Sequence, residues 1–294
     1  MVLCSMKLSR INGVLTIKRK LLAVLLLMAN SAALAQPSWV TTDHPPCPAT
    51  FPTSPQWRKE MMSGKKLAAD LEQHVTLIND TYITSYLNHL EQNIVRNSGL
   101  HGCFVVKVVK DVEVNAYSLP GGFLYVTSGL ILTATNEAEL VGALAHETGH
   151  VSARHLTKIV KQKRRWHYLS LLGGPPGYLL GRKIGPLFTL KALRDAEFEA
   201  DRLALQYQHD SGYDPLEFAR LLEEEFSQEG KPPSFFARLF DEHPSTQARI
   251  ARVKQAVQLS VSGEDHVVDT SEFHDVKSRI AVLMGIANHE SLPN

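Results

Sequence analysis

Residues 136–153 read NEAELVGALAHETGHVSA, and their reading fixes what the rest of the chain has to supply. Asn136 is an N-cap with Glu139 three residues on, the spacing of a capping box. Leu140, Ala143, Leu144 and Val151 form the buried stripe of the helix that follows. Within that helix His146 and His150 are four apart, so both imidazoles leave the same face and can reach one cation. Glu147 lies one residue on, placed to act on a water beside that cation without ligating it.

A catalytic zinc site takes three protein ligands and keeps one position open, so a third ligand must come from elsewhere. A histidine six residues beyond His150 is excluded, because Leu156 stands there. No Asp or Glu occurs from Val151 to Arg194, which also excludes a carboxylate close downstream. The first acids after this gap are Asp195, Glu197, Glu199 and Asp201. On a helix Glu197 and Asp201 share a face and Glu199 points away. Glu197 is therefore expected as the third ligand of a single Zn2+. Asp201 is expected behind it, fixing the tautomer of a ligand imidazole. His155, His167 and His209 have no such partner pattern and read as ordinary histidines.

Working outward, Lys7, Arg10, Lys18, Arg19 and Lys20 precede an apolar run from Leu21 to Met28 that ends in Ala33-Leu34-Ala35. That is a signal peptide over 1–35, cut before Gln36, with an uncleaved anchor as the alternative. Removing five basic residues and no acidic ones takes the formal charge from +1 to −4, and nothing points to nucleic acid. Residues 36–57 carry Pro37, Pro45, Pro46, Pro48, Pro52 and Pro55 and read as an extended lead-in. Residues 58–294 then form one domain. Export exposes Cys47 and Cys103 to oxidants; they either pair or remain a loop thiol and a buried thiol.

Helices are expected over 59–76 and over 81–96 with Asp80 as N-cap. Strands are expected over 104–109, 112–118 and 123–127, with a turn at Leu119-Pro120-Gly121-Gly122. Further helices follow over 189–211, 215–228, 244–259 and 271–284, with a short strand at 267–269. The fold class is α+β: a mostly helical, zincin-like domain with one small sheet beside the metal helix.

Four motifs in this order carry a family resemblance. His146–His150 followed by Glu197-Phe198-Glu199-Ala200-Asp201 resembles the H-E-x-x-H and E-x-x-A-D pair of the HtpX and CAAX-prenyl-endopeptidase gluzincins, metallopeptidase family forty-eight. Asn115-Ala116-Tyr117-Ser118-Leu119-Pro120-Gly121-Gly122-Phe123 is similar to that family's N-A-x-A-x-P-G-G turn, with Ser118 in place of alanine. His243-Pro244 with Arg249 is similar to its H-P-x-x-x-x-R element, and 267–277 to the tail of exported bacterial members. The resemblance implies a zinc metalloendopeptidase of the periplasm, in envelope protein quality control, acting on misfolded or unassembled polypeptides. Zinc would activate water, with Glu147 as general base and His243 or Arg249 as the oxyanion donor.

Substrate is expected along the edge of the strand over 123–127, through Gly122, Phe123, Tyr125 and Val126. Residues 158–191, rich in Lys and Arg and interrupted by Gly and Pro, read as a lid, a peripheral membrane contact, or a plain helix-loop-helix. A chaperone or scaffold for envelope proteins is the competing function. It has no need of Glu147, yet Glu147 and all three ligand types are present.

Overall fold

The computed structural model describes residues 54–100, 102–172, 174, 185–227, 247–260 and 265–287. The signal segment, most of the Pro-rich lead-in, Cys47 and His243 lie outside the described residues. In chain order the described elements are α1 (Pro55–Leu71), α2 (Thr81–Asn97), β1 (Val105–Val109), β2 (Ala116–Leu119), β3 (Phe123–Thr127), α3 (Ser128–Thr133), α4 (Glu137–Ala153), α5 (His155–Leu172), α6 (Gly185–Asp210), α7 (Leu216–Ser227), α8 (Gln247–Ser260) and α9 (Ser271–Leu283). The class is α+β, as the pattern of the sequence implies.

Caps explain several boundaries. Asp80 accepts from the Ile83 amide at 3.1 Å and starts α2 where expected. Helix α1 starts earlier than expected, because Ser54 caps it and Pro55 occupies the first turn, where a missing N–H costs nothing. Asn136 accepts from the Glu139 amide at 3.0 Å. The return half of the box differs: Glu139 accepts from the amide and the hydroxyl of Thr135 instead of from Asn136.

Helix α4 is buried on nearly all sides, so it is the core of the domain and not an amphipathic surface helix. Its start is pinned by Glu137, which accepts from Tyr86 at 2.5 Å, from Tyr213 at 2.6 Å and from Thr270. One side packs on α6. Gly149 sits there, where an added Cβ would lie 3.2 Å from the Ala200 carbonyl oxygen. The small residues at 149 and 200 let the two helices approach closely, which carries Glu197 to the histidines.

The sheet has the order β1-β3-β2. Strands β2 and β3 form the expected hairpin, Tyr117 opposite Tyr125, and β1 runs parallel along the other side of β3. The expected strand over 267–269 reduces to one bridge, Tyr213 to Val267. Helix α3 is not among the elements expected from the sequence, and α5 falls on the first helix of the helix-loop-helix reading of 158–191. The hairpin turn has Gly121 at φ +83 and Gly122 at φ +88. An added Cβ would lie 2.4 Å from Met61 Cα and 2.1 Å from the Cys103 carbonyl oxygen, respectively.

Two penalties therefore meet at Gly122: a left-handed backbone and a collision with main chain that cannot rotate away. Gly122→Ala is expected to lower stability by more than about 3 kcal/mol, moving Tm down by roughly 6–12 °C in a domain of this size. Thermal unfolding of the variant checks this.

Candidate metal centre

His146 and His150 leave α4 one turn apart, and their Nε2 atoms face each other at 3.0 Å. Glu197 comes across from α6, with Oε1 3.4 Å from His150 Nε2 and Oε2 3.5 Å from His146 Nε2. All three side chains are buried, and one ligand atom from each lies within 4.8 Å of the others. Metal bonds of about 2.0–2.1 Å in a tetrahedron separate neighbouring ligand atoms by about 3.3 Å. The three separations match that edge length, so the residues fit a small divalent cation.

Next to this cage stands Glu147, itself buried, with Oε2 lacking a hydrogen-bond partner in the protein. A two-histidine, one-glutamate cage with a further glutamate directly after the first histidine is a metallopeptidase arrangement. The sequence agrees: residues 79–257 match the model of peptidase family M48.

The chain belongs to peptidase family M48.

It is 27% identical over 241 residues to the beta-barrel assembly-enhancing protease of Escherichia coli K12, covering 75% of this chain and 48% of that one. The protein of the same name from Yersinia pestis is 28% identical over 214 residues, 66% of this chain and 43% of that one. The mitochondrial metalloendopeptidase OMA1 of Schizosaccharomyces pombe is 28% identical over 177 residues, 58% of this chain and 52% of that one. The chain spans about half the length of these relatives.

Around the M48 cage each ligand has a partner of its own. His146 Nδ1 lies 3.1 Å from Asp201 Oδ1, the role expected for Asp201. Asp201 is gripped by Arg249 through Nε at 2.9 Å and Nη2 at 2.6 Å, and Arg249 Nη1 reaches Glu197 Oε2 at 3.1 Å. Burial alone would raise the Asp201 carboxyl, but its hydrogen bonds to Arg249 and His146 hold it below the usual range.

The expectation for Arg249 is corrected on this point. Its guanidinium is 3% exposed and faces two carboxylates, which makes it a positioning residue for Glu197 and Asp201 and not an oxyanion donor. His243, the other expected donor, lies outside the described residues.

The substrate strand is corrected too. Strand β3 is central, paired on both sides, so it has no free edge. Tyr125 and Val126 are fully buried, and the Tyr125 hydroxyl donates to Glu72 at 2.7 Å. Phe123 packs against the core around Ala68, Leu71 and Tyr117, and Gly122 is wedged on the Cys103 carbonyl. The strand that lines the cleft is β2: Tyr117, Ser118 and Leu119, with Pro120 of the turn, share it with His150 and Glu197. No strand pairs with the other side of β2 among the described residues.

His155, which reads from the sequence as an ordinary histidine, stands directly behind a cage histidine. It is buried, its Nδ1 is 3.0 Å from His150 Nδ1, and its Nε2 is 3.1 Å from Glu199. Burial lowers the His155 pKa, and the Glu199 carboxyl is held below the usual range, first by its hydrogen bond to His155. The break that makes this contact is at Arg154, in the left-handed region at φ 59. No helix-face argument from spacing crosses such a break.

Burial works against a charge on His146, but the hydrogen bonds to Asp201 and Glu197 outweigh it and hold the pKa up at about 9. A metal ligand must be deprotonated, so below that pH a cation has to displace this proton. Zn2+ affinity is therefore expected to rise with pH, about tenfold per unit through the neutral range, and to level off near 9. Chelator competition at a series of pH values measures it.

Proposed function

We propose that this chain is an exported, zinc-dependent endopeptidase that hydrolyses peptide bonds of misfolded or unassembled envelope proteins. The observation that carries the chemistry is the cage of His146, His150 and Glu197 together with buried Glu147, directly after His146 on the same helix, whose Oε2 has no hydrogen-bond partner in the protein. Leaving a buried carboxylate oxygen unsatisfied costs on the order of 1–3 kcal/mol, and that cost is explained if the proton it takes arrives only with water and substrate.

His146, His150 and Glu197 would hold a zinc ion, whose chemistry there would be that of a Lewis acid toward water and a carbonyl. Glu147 is the general base that takes a proton from the attacking water and returns it to the leaving amine. His146, His150 and Glu197 hold geometry and move no proton. We assign the oxyanion contact to His243. An extended substrate adds along β2 at 116–119, where main-chain hydrogen bonds are indifferent to side chains and suit many unfolded sequences.

Support for the envelope comes from several sides. The bacterial relatives are named for beta-barrel assembly, and Cys103 is disulfide-bonded, as cysteines of exported proteins commonly are. Among the described residues no helix is long and apolar enough to cross a membrane. A peripheral contact of 158–191 with anionic lipid belongs to the same reading: Val160, Tyr168 and Leu171 are more than half exposed on a helix that also carries Lys158, Lys161, Lys163, Arg164 and Arg165.

Glu147→Gln tests the enzyme against the scaffold. Casein cleavage by the zinc-loaded variant is expected to fall by roughly 10²–10⁴-fold while bound zinc, measured on the same sample, stays at one per chain. Cleavage at the wild-type rate would remove Glu147 from the chemistry. A wild-type protein that binds zinc and cuts nothing would favour the chaperone reading.

A further inference from the structure

We infer that His155 and Glu199 form a second positioning relay, which fixes the tautomer and the ring angle of His150 so that its Nε2 is presented to the cation. This rests on the metal-centre reading above and adds two residues to it.

The argument is one of proton order. His150 Nε2 faces His146 Nε2 and Glu197, so it is the ligating nitrogen and must be unprotonated. A neutral imidazole then carries its proton on Nδ1. The atom in front of His150 Nδ1 is His155 Nδ1 at 3.0 Å, which must accept. His155 in turn carries its proton on Nε2, and that N–H meets Glu199 Oε2 at 3.1 Å, a carboxylate that can only accept. Every atom from Glu199 to the cage has one possible role, and the chain of bonds runs in one direction.

Packing keeps the two rings in place. Their centroids are 4.8 Å apart and their planes stand at 76°, so the in-plane lone pair of one meets the N–H of the other. His155 opens α5 directly after the left-handed Arg154, which turns its ring back toward α4. Glu199 lies on α6 between Glu197 and Asp201, and its side chain is 46% exposed.

The two ligand histidines are thus oriented differently. His146 meets a buried carboxylate directly, and that carboxylate is locked by Arg249. His150 meets its carboxylate through an intervening ring, and the outer end is open to water. The outer end of the relay can therefore be altered without disturbing the core.

The test is Zn2+ affinity by chelator competition, with Co2+ absorption as a second readout, on Glu199→Ala, Glu199→Gln, His155→Leu, His155→Gln and a double variant that combines His155→Leu with Glu199→Ala. Glu199→Ala and His155→Leu are expected to weaken Zn2+ binding by about 10–100-fold, the usual effect of losing a ligand's hydrogen-bond partner. They should also change the Co2+ d–d bands. The Gln variants keep an acceptor and should recover most of the loss. The double variant should bind no more weakly than His155→Leu alone, because both changes cut one chain.

Melting of the metal-free Glu199→Ala protein at the wild-type temperature would separate this role from a structural one. If His155→Leu fails to fold, Glu199→Ala decides by itself. Wild-type binding with Glu199→Ala within twofold of it, or losses that multiply in the double variant, would overturn the relay alone. A wild-type protein that takes up no zinc would remove the metal centre and the relay with it.

Discussion

The close contact between α4 and α6 is the constraint on which the site depends. Two imidazoles one turn apart are a local property of α4, but the third ligand comes from 47 residues further on and must arrive within hydrogen-bonding distance. Gly149 inside the H-E-x-x-H motif and Ala200 inside E-x-x-A-D are the residues that meet across the crossing. The same two motifs thus supply both the ligands and the small surfaces that bring the ligands together. A side chain at 149 would press on the Ala200 backbone and not on a ligand.

That closeness concentrates ionisable groups in a dry interior, and charge must be compensated there. Arg249 answers two carboxylates, and a bound cation would answer Glu197 again. Glu91, fully buried under α4, is managed by protonation: burial raises its pKa to about 8, against the Thr148 hydroxyl bond and with the push of nearby Glu147. At neutral pH the Glu91 carboxyl is therefore held mainly in its uncharged form. Glu147 Oε2 is one of several buried carboxylate oxygens without a hydrogen-bond partner in the protein, and it belongs to the residue directly after His146.

What the sequence made legible follows the range of the interactions. The cap at Asn136, the shared face of His146 and His150, and the shared face of Glu197 and Asp201 are local, and each was readable from spacing. The position of β3 in the sheet was not. Alternation identifies a strand but is silent on whether one edge or two are paired, and the parallel partner β1 lies across a turn and another strand. The place of His155 behind His150 is illegible for a related reason. On an unbroken helix a residue five positions on points about 140° away from His150, and only the left-handed Arg154 brings it back. A non-glycine residue in that region leaves no mark in a single sequence.

The cleft has a wall that the family segment does not contain. The M48 match begins at residue 79, whereas α1 ends at Leu71. Yet α1 passes so close to the hairpin turn that a Cβ at Gly64 would lie 1.7 Å from the Pro120 carbonyl oxygen. Its Glu60 reaches Arg154 Nε at 3.3 Å, tying α1 to the break between α4 and α5. Arg154 holds a backbone conformation that costs about 1–2 kcal/mol in a residue with a side chain, and the contact with a buried carboxylate helps to keep it there. The conformation of Arg154 in turn sets where His155 stands behind His150. The cage therefore leans on a helix outside the matched segment, by way of one strained residue, and the ring behind His150 is connected through Arg154 to the wall of the cleft.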